Sequence, residues 1–516
     1  MTLQRVLWSI LGPLIAVLAW EALAQLPAAK FVIAAPSAIL IYIADNFGLF
    51  WRALGATLTN ALAGFAIGNG AAILLATLAI TLPRSEALVR GLALLVFCLP
   101  LVATGPILRV IFGPGPWPQI VLAALAVYYT TLIPLLVGLR AVPGGWLDIV
   151  RSYGRGRLAA LVHVRAAAAV PYLAAGLQIA APAAFLGAMV GEFTGAERGM
   201  GVLTIRAMRA MDIEMTWSLA VIATAVAILG FLAVGWIAAR LMSEPPPTIL
   251  AAPVTTRRFT LTRAMMPVLV GLVALILWWG GLKAFALNPF FAKGPMQVFD
   301  ALVLAPDADA TRGSLIAALG ETAVFLFPGY LAGLAAGALL AILVVEVPAV
   351  AGTATSLAIA LRSVPIITTA PLIILALGRG AVGTIVLVAI MVFFPTFLAC
   401  LHGLRQAPGQ IIDVMRSYAA PSQKVLLHVR LPAMLPAFFA AARINVPASV
   451  LAVTVVEWLA TGQGIGSLMA LSASLSDYDM LWSAVVLVAV LSVLGYGLVS
   501  LWERRVLAIY APEQLQ

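Results

Sequence analysis

Charged residues are scarce in this sequence. Aspartate, glutamate, lysine and arginine together make up 10% of its 516 residues, whereas a soluble globular protein carries roughly 25%. This shortage, beside a hydrophobic fraction of 63%, excludes an ordinary soluble domain. The net charge of +10 is attributed to Lys and Arg held on the cytoplasmic side of a membrane protein. Nucleic acid is not an expected partner.

Cysteine and histidine are rare as well. Cys98 and Cys400 lie in apolar runs without a partner motif, so the sequence predicts buried thiols rather than a disulfide or a metal site. His163, His402 and His428 are too scattered to form a ligand cluster. The sequence contains no G-x-x-x-x-G-K-[ST] phosphate loop and no constellation of nucleophile and base. We therefore predict a chain that is not an enzyme and binds no cofactor.

Apolar runs of membrane-spanning length recur along the whole chain. A helix needs about 20 apolar residues to cross the ~30 Å hydrocarbon core of a bilayer. The pattern predicts an all-α polytopic protein with about 12 transmembrane helices in a lipid bilayer. In the first half the predicted spans lie near residues 6–26, 54–82, 88–112, 117–140, 166–191 and 213–242.

The second half repeats the first at a constant offset of 265 residues. Asp148-Ile-Val-Arg-Ser-Tyr, for example, recurs as Asp413-Val-Met-Arg-Ser-Tyr. Chance similarity between apolar helices is the alternative, but it does not produce matched Asp, Arg, His, Glu and Trp residues at one offset. Near the start the offset shortens, because Pro36 aligns with Pro295, which indicates a small insertion around 306–311 in the second copy.

The repeat divides the chain into two units of six spans each. We assign residues 1–243 to the first unit and 264–516 to the second, and the polar, proline-rich stretch 244–263 to a cytoplasmic linker. An even number of spans makes the units parallel, related by an axis along the membrane normal. With the N-terminus inside, most Lys and Arg residues fall on cytoplasmic segments. Both termini are therefore predicted to be cytoplasmic.

A charged loop between the fourth and fifth spans of each unit is the first candidate site. Apolar residues set among Asp and Arg predict a short amphipathic helix on the membrane surface, followed by a turn. Such a helix can insert into a groove on a soluble partner, although an ordinary basic loop is the alternative. The candidate residues are Asp148, Arg151, Ser152, Tyr153 and Gly154 in the first loop and Asp413, Arg416, Ser417, Tyr418 and Ala419 in the second.

An acidic residue and a glycine-rich turn close the fifth span of each unit on the predicted outer side. Ionisable residues in a membrane are costly and often mark a transport path. The candidate residues of a path or outer gate are Glu192, Gly199 and Gly201 in the first unit and Glu457, Gly464 and Gly466 in the second. The alternative is structural: each Glu caps its span or pairs with Arg198 or Arg206.

Two prolines interrupt the third span of each unit. They are Pro100 and Pro106 in the first unit and Pro365 and Pro371 in the second. Proline removes a hydrogen bond from a helix and bends it, so we predict kinks that expose carbonyl groups toward a central cavity.

The loop motif resembles the "EAA" coupling segment of binding-protein-dependent ABC importer permeases. Asp148 and Asp413 take the acidic position, Gly154 the glycine position and Pro432 the Leu-Pro position. Apolar residues replace the small ones, and Ala419 replaces the second glycine. The similarity covers both halves of the chain. Trp and Pro positions near the outer side look like the nitrate, sulfonate, taurine and pyrimidine-precursor branch.

This resemblance implies a type I importer permease in a bacterial inner membrane, which forms the path for a small polar solute. It also implies an anionic solute, an extracytoplasmic binding protein that delivers it, and a separate ATPase dimer that carries ATP and Mg and docks on the two loops. A secondary transporter driven by an ion gradient is the alternative function. That class places carboxylates or His within its spans, and the spans here are nearly free of carboxylates.

The departure at Ala419 leads to one further expectation. A non-glycine residue in a left-handed turn costs about 1–2 kcal/mol. We therefore predict that the second loop turns differently from the first, with Pro421 fixing its exit.

Overall fold

A computed structural model describes residues 15, 17–26, 32–82, 84–242, 265–347, 366–378 and 380–510. Within these residues the regular structure is helical and includes no strand. The prediction of an all-α polytopic chain is confirmed. The predicted linker 244–263 and Pro365 lie outside the described residues, and the boundaries of the two units stay predictions.

Nine described helices of the first unit are numbered here in chain order. They are α1 (Pro36–Asp45), α2 (Phe47–Thr81), α3 (Glu86–Phe97), α4 (Leu101–Phe112), α5 (Trp117–Arg140), α6 (Gly144–Ser152), α7 (Arg157–Phe193), α8 (Met200–Ala210) and α9 (Ile213–Leu241). Residues 17–24, before α1, are also helical.

The second unit repeats this order, except that the residues equivalent to α3, 351–362, lie outside the described residues. Its described helices are α10 (Met266–Ala284), α11 (Pro295–Leu304), α12 (Ala308–Glu346), α13 (Ile366–Leu377), α14 (Ala381–Arg405), α15 (Gly409–Ser417), α16 (Ser422–Leu459), α17 (Gly464–Leu475) and α18 (Tyr478–Tyr510).

Nine helices among the described residues are long and apolar enough to cross a membrane. The third span of the first unit is not a single helix, because α3 and α4 meet at an angle of 95°. The break falls at Pro100, which precedes the first residue of α4, whereas Pro106 lies inside α4. Proline has no N–H to donate and disfavours a helical residue before it, which accounts for the break. In the second unit Pro371 lies within α13.

Two matched hydrogen bonds show the repeat in three dimensions. Trp217 Nε1 donates to the carbonyl of Val32 at 3.0 Å, and Trp482 Nε1 donates to that of Phe291, also at 3.0 Å. The two Trp residues are 265 positions apart, whereas the two carbonyl groups are 259 apart. The shorter offset is that of Pro36 and Pro295, so the structure agrees with an insertion after Phe291 in the second unit.

Small residues let the central helices of each unit approach closely. An added Cβ at Gly64 of α2 would lie 2.7 Å from the carbonyl oxygen of Ile120, and one at Gly329 of α12 would lie 2.9 Å from that of Ile385. Both glycines hold the same place in the repeat. Membrane helices commonly pack through small residues in this way.

The two units exchange contacts reciprocally. α4 of the first unit packs on α17 and α18 of the second, and α13 of the second packs on α9 of the first. Ala103 and Ile107 of α4 share a buried apolar cluster with Ile465 and Met469 of α17. Because α4 and α13 are equivalent in the repeat, as are α9 and α18, these contacts are those of units related by a twofold axis.

Candidate functional site

Two short helices, α6 and α15, form the first candidate site. Each has nine residues and follows a proline, Pro143 or Pro408. Proline is tolerated at the beginning of a helix but not in its interior, so it marks where each helix begins. The apolar periodicity of the residues that follow favours an amphipathic helix. The structure therefore confirms the short helices that the sequence predicts, at the same offset of 265. We call α6 and α15 the coupling helices, after the coupling segment that their sequences resemble.

Each coupling helix leaves part of its apolar surface exposed. No residue of either helix is buried, and Ile149 and Val414 are more than half exposed. Just after the helices, Tyr153 is 80% exposed and Tyr418 is 83% exposed. A helix that stayed on its own protein would bury its apolar face. This surface is therefore suited to contact with a partner.

The turns after the two coupling helices have the same backbone conformation. Gly154 has φ of 65° and Ala419 has φ of 53°. Each residue donates its N–H at 2.9 Å to the carbonyl three positions earlier, and the next residue bonds to the carbonyl five positions earlier. This is the Schellman arrangement, which satisfies the last carbonyl groups of a helix.

The expectation that the second loop turns differently is therefore wrong. The hydrogen bonds of the Schellman turn hold Ala419 in the left-handed region despite its Cβ. The cost of about 1–2 kcal/mol is offset by these bonds rather than avoided by another turn.

Charged residues of the coupling helices are paired within each helix. Arg151 lies 2.9 Å from Asp148, and Arg416 lies 3.6 Å from Asp413. All four side chains are exposed, where ion pairs contribute about 0–1 kcal/mol. The charges therefore stay available to a partner at little cost. The coupling role of the ten candidate residues stays a prediction.

Two arginines that follow the coupling helices join one membrane helix to another. Arg165, in the early part of α7, donates to the carbonyl of Leu139 of α5 at 2.7 Å, and Arg430, in the early part of α16, pairs with Glu346 of α12 at 2.9 Å. Neither role was predicted, although the repeated His-Val-Arg sequence was the signal that could have revealed it. Each arginine thus links the early part of its fifth span to the end of another membrane helix, α5 in the first unit and α12 in the second.

The glycine-rich turns between α7 and α8 and between α16 and α17 form the second candidate site. Glu192 is 1% exposed. Its Oε1 accepts a hydrogen bond from Thr57 Oγ1, and its Oε2 accepts one from the N–H of Gly201, both at 2.7 Å. The oxygen of Thr57 in turn accepts the N–H of Met200 at 2.8 Å. Glu192 and Thr57 thus cap the first turn of α8, where backbone N–H groups have no partner within the helix.

The second unit builds the same cap from equivalent residues. Glu457 Oε2 accepts the N–H of Gly466 at 2.8 Å, and Thr322 Oγ1 accepts that of Ile465 at 2.9 Å. Here a second carboxylate joins, because Glu321 Oε2 accepts the N–H of Gly464 at 2.8 Å. The equivalent position of the first unit is Ala56.

The glycines of these turns are required by the buried carboxylates. Gly199 has φ of 138° and Gly464 has φ of 85°. A Cβ at Gly199 would overlap the carboxylate of Glu192, and one at Gly464 would overlap that of Glu457. The hydrogen-bond partners of both Glu residues are thus capping groups, and neither Arg198 nor Arg206 is among them. A role in the path stays a prediction for these turns.

A buried ion pair in the second unit was not anticipated. Arg443 Nε of α16 lies 3.0 Å from Glu503 Oε2 of α18, and both residues are buried. The first unit has Gln178 and Ala238 at these positions. No charged counterpart exists in the repeat, and the signal that could have revealed this pair is the position of Arg443 inside a predicted apolar span.

Comparison with known proteins decides the family. The model of the binding-protein-dependent transport system inner membrane component matches residues 68–243 and again residues 329–508. The chain belongs to this family. It is therefore a multi-pass membrane protein and an ABC transporter permease in which the family domain occurs twice.

Individual relatives each match less than half of this ABC transporter permease. A Haemophilus influenzae protein named "Probable ABC transporter permease protein" is 27% identical over 219 residues, which are 42% of this chain and 89% of that protein. The formylaminopyrimidine transport permease ThiX of Halalkalibacterium halodurans is 22% identical over 245 residues, 48% of this chain and 96% of that protein. The riboflavin transport system permease RibX of Chloroflexus aurantiacus is 30% identical over 143 residues, 28% of this chain and 53% of that protein.

Proposed function

We propose that this permease supplies both halves of the translocation path of an ATP-driven importer. Its two coupling helices would dock on a separate ATPase dimer, one on each subunit, and ATP and Mg would be bound by those subunits. An extracytoplasmic binding protein would deliver the solute. The proposed location is a bacterial inner membrane with both termini in the cytoplasm.

One observation carries this proposal: two equivalent helices present uncovered apolar side chains and tyrosines at the same place in both units. Two equivalent subunits of an ATPase offer two equivalent grooves, so the repeat and the proposed partner match in number. The permease family supports the same assignment.

The proposed solute is small and polar, and the resemblance to the sulfonate and taurine branch suggests an anion. ThiX and RibX are named for formylaminopyrimidine and riboflavin transport. These two compounds and taurine are therefore the first three to test for uptake. The assay is ATP-dependent accumulation in vesicles that hold the chain, the ATPase and the binding protein of the same transport system. Uptake that a protonophore abolishes while ATP is maintained would favour an ion-gradient transporter instead.

Docking is tested by cysteine cross-linking. Cys98 and Cys400 are buried, so the native cysteines should react little and an introduced, exposed cysteine can be followed by itself. We expect Ile149→Cys and Val414→Cys each to cross-link to the ATPase. Leu158→Cys, which is exposed but lies on α7 outside the coupling helix, is the control and should react less. Cross-links from the control alone would contradict the assignment of the coupling helices.

A further inference from the structure

Two equivalent helices on the predicted outer side, α8 and α17, differ in charge although their backbones match. Both follow a turn capped by a buried Glu, and both end in a left-handed residue, Met211 with φ of 53° and Ser476 with φ of 60°. α8 carries Arg206 and Arg209, whereas α17 contains no charged residue. The equivalent positions of α17 are occupied by Leu471 and Ser474.

The α8 arginines are exposed and form no ion pair with the part of the chain that the structure describes. Arg198, Arg206 and Arg209 are all exposed, and none makes an ion pair within the residues that the structure describes. Of the acidic residues nearby in sequence, Asp212 is occupied, because it accepts hydrogen bonds from the N–H of Met215 and from the hydroxyl of Tyr42.

The contrast with the second unit is larger when the flanking residues are included. Residues 194–214 hold three arginines and three acidic residues, whereas the equivalent residues 459–479 hold two aspartates and no basic residue. Glu321, which has no acidic counterpart in the first unit, adds a further negative charge beside α17. The segment around α8 is thus more positive than the segment around α17, in which Asp479 pairs with Lys293 at 2.8 Å.

The exposed face of α8 favours an acidic protein surface rather than lipid. Met200, Leu203 and Ala207 are buried within the protein, so α8 has no free apolar face to insert into a bilayer, as a membrane-surface helix must. α17 differs again, because Leu471 and Leu475 are exposed. The two equivalent faces therefore suit two different surfaces, one acidic and one apolar.

We propose that the face of α8 formed by Arg206 and Arg209 docks an acidic patch of the extracytoplasmic binding protein, while the matching face of α17 contacts an apolar patch, so that this partner docks in one orientation only. This inference rests on the proposed function. Two identical permease subunits would offer the partner two identical faces and two equivalent orientations. Duplication within one chain, followed by divergence of these positions, removes that degeneracy.

The first test exchanges residues between the units. The chain and its ATPase are placed in phosphatidylcholine nanodiscs, and association of the purified binding protein of the same transport system is followed at several salt concentrations. The double variant Arg206→Leu with Arg209→Ser gives α8 the residues of α17. We expect its association rate at low salt to fall about 10-fold and its salt dependence to flatten, because rim charges act mainly on association.

The reciprocal variant, Leu471→Arg with Ser474→Arg, gives α17 the charges of α8. Because both faces then attract the same acidic patch, we expect the binding protein to dock on this variant in both orientations, unlike on the unaltered chain. A second readout reports orientation: a photo-cross-linking residue is placed at Ala210 or at the equivalent Leu475, both exposed helix ends. We expect the two sites to capture different peptides of the binding protein.

Three results would overturn the inference. One is an unchanged association rate in the double variant, and another is capture of the same peptides from both sites. The third is a variant whose only defect is a changed response to 30% phosphatidylglycerol in the nanodiscs, which would assign the arginines to lipid headgroups. If the binding protein does not associate with the unaltered chain, the proposed function itself is wrong. If it associates with the unaltered chain and with the double variant at the same rate, only this inference is wrong.

Discussion

Ala419 occupies the same left-handed turn as Gly154, with φ of 53° against 65°. Both residues end a coupling helix through the same two backbone hydrogen bonds. The two loops thus present their exposed tyrosines from equivalent turns, although only one has a glycine. Equal geometry at unequal conformational cost means that substitutions at these two sites can be compared directly.

We predict that Gly154→Val and Ala419→Val reduce coupling to a similar extent. A β-branched side chain is strongly disfavoured at positive φ, so either change should distort the turn and displace the coupling helix. Solute-stimulated ATPase activity and transport should fall together in reconstituted complexes of equal subunit content. Gly154→Ala is the control: it should cost about 1–2 kcal/mol of stability but leave coupling intact, because the second loop already has alanine at this position. Normal coupling in both Val variants would show that the turn conformation is unimportant.

The carboxylate of Glu192 leads to a second prediction. In Glu192→Gln one side-chain oxygen becomes an NH₂ group, which is a donor. The remaining oxygen can accept only one of the two hydrogen bonds that Thr57 and Gly201 donate to Glu192. We expect a loss of about 1–3 kcal/mol, the cost of leaving a buried group without its partner. Thermal unfolding in detergent measures this loss. Transport per folded molecule tests separately whether Glu192 acts in the transport path. A transport defect without a loss of stability would favour a role in the path over a role as the cap of α8.

The glycines of the second outer turn offer an internal comparison. Gly462 and Gly464 both have positive φ, but a Cβ at Gly462 meets open space whereas one at Gly464 overlaps the carboxylate of Glu457. We expect Gly462→Ala to cost about 1–2 kcal/mol from backbone strain alone. Gly464→Ala should cost about 1–3 kcal/mol more, as overpacking does. Equal melting temperatures for the two variants would contradict the requirement for space beside Glu457.

A double-mutant cycle tests the buried ion pair of the second unit. Removing one partner leaves the other charge buried, which typically costs about 3–5 kcal/mol. We therefore expect Arg443→Gln and Glu503→Ala each to destabilise the protein strongly. The double variant, which installs the residues of the first unit, Gln178 and Ala238, should be more stable than either single variant. Additive losses would mean that the two charges do not depend on each other.

Much of this architecture follows from local sequence. Spans are recognisable because a lipid-embedded helix must be apolar over its whole length. The coupling helices are recognisable because Asp148 and Asp413 lie in matched amphipathic segments, and the duplication is visible because both copies retain polar residues at one offset. The spans and the coupling helices are decided by residues close together in the chain, and the duplication by residues matched at one offset. The sequence alone therefore predicts all three.

Tertiary structure decided how those elements meet. Thr57 and Glu192 are 135 positions apart, and no local pattern indicates that they cap one helix together. Ala419 was expected to avoid the left-handed region because its intrinsic preference opposes it, yet the hydrogen bonds of the turn outweigh that preference. The α8 arginines were visible in the sequence, but only the structure shows that they are exposed and that α17 presents the equivalent face without charge. Contacts between distant residues depend on packing, and packing is set by the whole chain rather than by any segment of it.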